Sequence, residues 1–278
     1  MEPKKNLLAD IDTEYSRIWI FGDTDPATKK PVTSLATDPF GTQSSGFTDG
    51  DTDLVAEYGK YYDLFRHFSP NAISVLMIGG CAYSYPRYFL DRYPDVSLDV
   101  VEIDPNMTEI ARQYFGLQDS SQLEILHEDG RIFLNNTTNR YDVILGDAFT
   151  SSSAIPFHLT TQEAVQKEYD VLNDGGVVIV NLISSVTGKN GLFARAEYAT
   201  YRSIFPQVFL FAIGDNGDKI QNVMLVGYKS SLVPSFESSD PALATLLSHR
   251  WTAEIAADVS ILTDDFAPVE YYKHISLE

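Results

Sequence analysis

The chain has 278 residues, 44% of them hydrophobic and 21% charged, which suits one large domain, or one and a half, with an ordinary core. Its net charge is −19, so its surface repels nucleic-acid phosphates and anionic lipid heads and favours cationic partners. The single cysteine, Cys81, excludes an internal disulfide and a multi-cysteine metal site. The longest apolar runs, near 75–78 and 177–180, fall far short of the ~18 residues of a membrane span, and no basic-then-apolar opening marks a secretory signal. A cytoplasmic location with no membrane segment in this chain is expected. The acidity reads equally well as plain solubility.

Residues 1–70 are expected to form a small N-terminal β element with a connecting helix. Residues 15–21 are aromatic and β-branched and end in the turn pair Gly22-Asp23. Residues 31–35 read as a second strand. Asp49, Asp51 and Asp53 open like a calcium loop, but the sixth position is Leu54 instead of Gly and the twelfth is Lys60 instead of Glu. The acidic run reads instead as a lead-in to a helix starting at Leu54, with Asp53 as its cap.

From residue 71 to 278 the rhythm changes. Apolar runs at 73–79, 98–104, 123–127, 141–145 and 176–182 alternate with helical stretches at 85–93, 105–115, 161–172 and 190–205. Strands that are apolar throughout and alternate with helices predict a parallel sheet covered on both faces. Two further strands, 208–213 and 222–228, are joined by Gly214-Asp215-Asn216-Gly217 as an antiparallel hairpin at the edge. The fold class is α/β, a Rossmann-like sheet of the S-adenosylmethionine-methyltransferase type.

Open parallel sheets bind ligands at the carboxyl ends of their strands, where strand order reverses. The first predicted strand ends in Gly79-Gly80, and the next three end in Glu102, Asp129-Gly130 and Asp147. That set describes a nucleoside site. Glycines let the backbone approach the ligand, Glu102 can accept ribose hydroxyls, and Asp129 can accept an adenine amine. The loop lacks the later glycines of G-x-G-x-x-G, and Gly188-Lys189 lacks the upstream glycine of a phosphate-binding loop. A ligand with a sulfonium in place of a pyrophosphate fits better. His158, after Ile155-Pro156-Phe157, reads either as a second proton acceptor at the cleft mouth or as a hydrogen-bonded structural histidine. Tyr58 lies at helical spacing with Tyr61, Tyr62 and Phe65, which suits either a core face or a pocket wall. Asp264-Asp265 reads as a loop returning to the cleft or as a capped tail.

Val75-Leu76-Met77-Ile78-Gly79-Gly80, Val101-Glu102-Ile103-Asp104, Glu128-Asp129-Gly130-Arg131 and Tyr141-Asp142-Val143-Ile144-Leu145-Gly146-Asp147 together resemble the spermidine synthase (polyamine aminopropyltransferase) family. The resemblance is closest to its prokaryotic spermidine synthase-like members. It implies transfer of an aminopropyl-type group from decarboxylated S-adenosylmethionine to a small amine, with no metal, and it suggests a homodimer. Residue by residue, it implies that Glu102 holds the ribose and Asp129 the adenine, and that Asp147 is the general base. It also implies that Gln43 and Tyr58 lie on the substrate side. The sequence departs from the family at Ala82, where an Asp holds the aminopropyl amine, at Thr150, where a second Asp holds the polyamine, and at Ser16. These departures leave two other readings: a methyltransferase using S-adenosylmethionine itself, and a binding module without transfer chemistry.

Overall fold

The computed structural model describes residues 6–38, 41–148, 155–214 and 216–274. Thr150, and Asp215 of the predicted turn, lie outside the described residues. The N-terminal element is a four-stranded antiparallel sheet in the order β1 (Leu7–Asp12), β2 (Arg17–Thr24), β3 (Pro31–Ala36), β4 (Ser44–Phe47). Its inner face, Ile18, Ile20 and Leu35, packs on Met107 and Ile110 of α3 (Pro105–Tyr114).

The larger sheet has seven strands: β5 (Ser74–Ile78), β6 (Ser97–Val101), β7 (Leu123–Leu126), β8 (Tyr141–Gly146), β9 (Leu172–Ser184), β10 (Gln207–Ala212) and β11 (Gln221–Tyr228). Their order is β10-β11-β9-β8-β5-β6-β7. β5 to β9 pair in parallel, while β11 runs antiparallel to both β9 and β10. The expected hairpin therefore forms, but its second strand enters the sheet and its first becomes the edge.

Side chains alternate faces along a strand. Val75 and Met77 accordingly join one hydrophobic cluster, and Leu76 and Ile78 join the other. Val177 and Ile179 face the first cluster and Val178 the second, which is why these strands are apolar at every position. Helices α2 (Ser84–Arg92) and α7 (Pro241–Ser248) cover the first face. The second is covered by α4 (Gly130–Asn136), α5 (Gln162–Val171), α6 (Leu192–Arg202) and α8 (Val269–His274).

The connecting segment differs from its sequence reading. A 3-10 helix spans Glu57–Leu64 and runs into α1 (Phe65–Phe68); residues 54–56 are not helical. Asp53 caps nothing. It pairs with Arg92 instead, which also reaches Asp91. Tyr61, Tyr62, Leu64, Phe65 and Phe68 all enter the core of the larger sheet.

Candidate active site

Register brings the strand ends together. Ile78 lies opposite Val101 on one side and Gly146 on the other. The next residues, Gly79, Glu102 and Asp147, therefore lie side by side where the strand order reverses between β5 and β8. Gly79 has φ +94°, and a Cβ there would sit 2.5 Å from the Asp147 carbonyl oxygen. Only glycine lets the β5 turn pass this close to the end of β8.

Two clefts of about 200 and 190 Å³ open at this point. The first is lined by Gly79, Glu102, Asp104, Asp129, Gly130 and His158, with Ile103, Met107 and Leu159 as apolar walls. The second is lined by Tyr58, Tyr62, Asn181 and Asn222 and by the β3–β4 connection at Thr42 and Ser44. Gln43, Cys81 and Asp147 line both.

In the first cleft Glu102 is buried. Its Oε2 accepts from the N–H groups of Gly80 (2.8 Å) and Cys81 (3.0 Å), and its Oε1 accepts from Asp104 N–H (2.9 Å). Burial raises the Glu102 carboxyl above its ordinary range, and the three N–H groups oppose that. A carboxylate has about four acceptor sites, so one remains for a ribose hydroxyl, not two. Asp129 caps α4 through Oδ1, which accepts from Ile132 N–H (3.0 Å), and its Oδ2 lies 3.1 Å from His158 Nε2. His158 thus lines the first cleft, beside Asp129, and not the second. Sequence reasoning missed Asp104. Its Oδ1 caps α3 through Asn106 N–H (2.9 Å), and its buried Oδ2 has no hydrogen-bond partner among the described residues. The signal was there, because Asp104 precedes a proline that opens a helix.

Asp147 sits where the clefts join. Tyr58 Oη–H donates to its Oδ2 and Asn181 Nδ2–H to its Oδ1, each at 3.0 Å. Asn181 Oδ1 in turn accepts from Asn222 Nδ2 (2.9 Å). Burial pushes the Asp147 carboxyl up, and the donors Asn181 and Tyr58 hold it back, while the Tyr62 hydroxyl donates to the Gly146 carbonyl (2.9 Å). Each carboxylate oxygen keeps acceptor capacity toward the cleft. Asn181 and Asn222 escaped the sequence reading, although Asn181 is the lone amide within the apolar run 176–182.

Ala82 is fully buried against the cluster of Ile18, Ile20 and Met107, and it lines neither cleft. The side chain at the junction is Cys81, whose thiol is pushed up to about 12 by burial and by the nearby Glu102 and Asp147 charges, and so stays neutral. Asp264 lines neither cleft and packs behind His158. It accepts from Arg131 Nη2 (2.9 Å) and Thr161 Oγ1 (2.6 Å), while Arg131 Nη1 holds the His158 carbonyl (3.0 Å). Asp51 pairs with Lys30 (2.8 Å), and the described residues contain no cluster of three or more metal-ligating side chains. No helix among them is long and apolar enough to cross a membrane.

Residues 62–213 match the spermine/spermidine synthase domain. A polyamine aminopropyltransferase of Vibrio vulnificus is 30% identical over 222 residues, covering 74% of this chain and 72% of that protein. The chain belongs to the spermine/spermidine synthase family. A probable spermidine synthase from Corynebacterium glutamicum has the same fold, with a TM-score of 0.73 at 21% identity, covering 92% of this chain and 96% of that one. Human methyltransferase-like protein 13, solved in complex with SAH, shares the fold less closely, with a TM-score of 0.53 at 22% identity, covering 73% of this chain and 97% of that one. The family supports the expected transferase class, and the neighbours support the expected sheet type.

Proposed function

We propose that this chain transfers an aminopropyl group from decarboxylated S-adenosylmethionine to a small amine, with Asp147 as general base. The observation that carries this reading is the position of Asp147, half-buried where the first cleft and a second polar cleft join. In the first cleft, Glu102 would accept a ribose hydroxyl and Asp129 the adenine amine, with Gly79 and Gly130 shaping the floor; Gly80, expected beside them, lines the second cleft instead and reaches the first only through its N–H on Glu102. In the second, Tyr58 and Gln43 would flank the amine. His158 would border the adenine.

The chemistry follows from the charges. An alkylamine is protonated in water, with a pKa near ~10.4, and cannot attack while it holds that proton. Asp147 accepts it as the N–C bond forms and the C–S bond breaks. The bonding pair stays on sulfur, which becomes the neutral thioether of methylthioadenosine. The proton then leaves to solvent. Tyr58 and Asn181 fix both carboxylate oxygens, so orientation is set before the substrates arrive. No step requires a metal.

One observation favours methyl transfer from S-adenosylmethionine as a second reading. Ala82 is turned into the core and Cys81 is neutral, so no acid besides Asp147 faces the junction to hold an aminopropyl ammonium. Incubation with decarboxylated S-adenosylmethionine and a panel of amines decides between them. Release of methylthioadenosine that disappears in Asp147→Asn supports the proposal. Methyl transfer from S-adenosylmethionine without any aminopropyl transfer overturns it.

A further inference from the structure

We infer that Asn222 is a positioning residue for the transfer: by donating to Asn181 it holds that amide with its NH2 toward Asp147, and so keeps Asp147 in the form that can take a proton. This deepens the transferase reading and rests on it. The two ends of a carboxamide have nearly the same shape but opposite chemistry, one a donor and the other an acceptor. Which end faces Asp147 therefore decides whether the ionised or the protonated carboxyl is favoured. Asn181 is buried, so its amide is oriented by side-chain neighbours. Its Nδ2 lies 3.0 Å from Asp147 Oδ1, and its Oδ1 lies 2.9 Å from Asn222 Nδ2. Turned over, Asn181 would aim its carbonyl oxygen at Asp147, a contact that needs a proton there. Its NH2 would then meet the NH2 of Asn222, donor against donor, unless Asn222 turned as well. The two amides thus turn together, and the orientation seen is the one that suits an ionised base.

The sheet builds this contact. Asn222 lies opposite Ile183, two residues beyond Asn181 and so on the same face of β9. The amides are diagonal neighbours across the β9–β11 pair, within reach of each other's ends. The other titratable groups that bear on Asp147 are Tyr58 and Tyr62 of the 3-10 helix and Cys81 of the loop after β5. Burial raises all three well above neutral pH, so they carry no charge there. Asp38, Glu102, Asp104, Glu128, Asp129 and His158 line the clefts with Asp147. All of these stay the same when Asn222 alone is changed. Among the groups that oppose the effect of burial on the Asp147 carboxyl, Asn181 is the strongest.

The test titrates the Asp147 carboxyl in the full chain, without substrates, by carbon-13 NMR of protein enriched at the aspartate carboxyl carbons. The signal missing from Asp147→Asn identifies it. Asn222→Leu keeps the bulk and leaves Asn181 Oδ1 without its donor, free to turn and take a proton from Asp147. Asn222→Asp offers only acceptors and draws the Asn181 NH2 away. The Asp147 midpoint should rise in Asn222→Leu and rise further in Asn222→Asp. The acid limb of kcat/KM should follow in the same order, with less than tenfold loss on the alkaline side. A rise in Asn222→Asp alone would mean bare charge and no relay. A rise that persists in full when Asn181→Leu is added would mean that Asn222 acts without Asn181. An unmoved midpoint with a raised amine KM would make Asn222 a substrate contact. Each of these overturns the inference. The titration needs no turnover, so a wild-type chain that releases no methylthioadenosine with any amine fails the transferase reading while the midpoints still report on the relay.

Discussion

The two clefts share Asp147 but are built differently. The first is made from consecutive strand ends and helix starts, and its acids are anchored by backbone N–H groups: three on Glu102, one on Asp129 and one on Asp104. The second is assembled from the β3–β4 connection, the 3-10 helix, β9 and β11, and its groups are tied by side chains to other side chains. Backbone anchoring survives most substitutions elsewhere, whereas a side-chain relay depends on every member. A nucleoside site can therefore persist while the facing site drifts toward another acceptor.

Asp147 tests the junction and carries the largest expected effect. Asp147→Asn should lower kcat by roughly 10²- to 10⁴-fold while leaving methylthioadenosine affinity nearly unchanged. The same variant should be more stable than the wild type at neutral pH. Burial raises the Asp147 carboxyl, so the folded state prefers it neutral. The penalty is absent below its unfolded pKa of ~3.9 and grows as pH rises through the folded value. A stability advantage in urea unfolding at pH 7 that is absent near pH 3 is the expected pattern.

Glu102→Gln addresses the first cleft alone. Replacing one carboxylate oxygen with an amide turns a donor toward N–H groups or toward the ribose, so methylthioadenosine affinity should fall about ten- to a hundredfold, read by calorimetry. Loss of the amine KM with intact nucleoside binding would contradict the division of labour.

Tyr58→Phe addresses the second. It removes a donor that holds the Asp147 carboxyl down, so the carboxyl rises further. The acid limb of kcat/KM should move to higher pH, with less than tenfold loss on the alkaline side. A uniform loss at all pH values would mean that Tyr58 shapes the pocket without tuning the base.

His158→Ala is expected to do least. His158 touches Asp129, whose other oxygen still caps α4, so nucleoside affinity should fall by only about threefold. A collapse of kcat would restore the reading of His158 as a second proton acceptor.

This contrast also explains what the sequence could tell. Glu102, Asp129 and Asp147 follow apolar runs directly, so the strand pattern locates them without knowledge of the tertiary fold. Tyr58, Asn181 and Asn222 meet only because β11 inserts beside β9, with Asn181 opposite Met224 and Asn222 opposite Ile183. Nothing local announces that register. The helix expected at Leu54 is a 3-10 helix that begins at Glu57, and Asp53, expected as its cap, contacts Arg92, a partner 39 residues away. Helix α4, unmarked in the sequence reading, is only about two turns long, and its capping acid was already assigned to the ligand.

The most direct measurement is calorimetric titration with methylthioadenosine and, separately, with S-adenosylhomocysteine. A donor cleft serving aminopropyl transfer should bind methylthioadenosine at least tenfold more tightly. Preference for S-adenosylhomocysteine would mean that the junction at Cys81 accepts a full amino-acid chain, and that Asp147 serves methyl transfer instead.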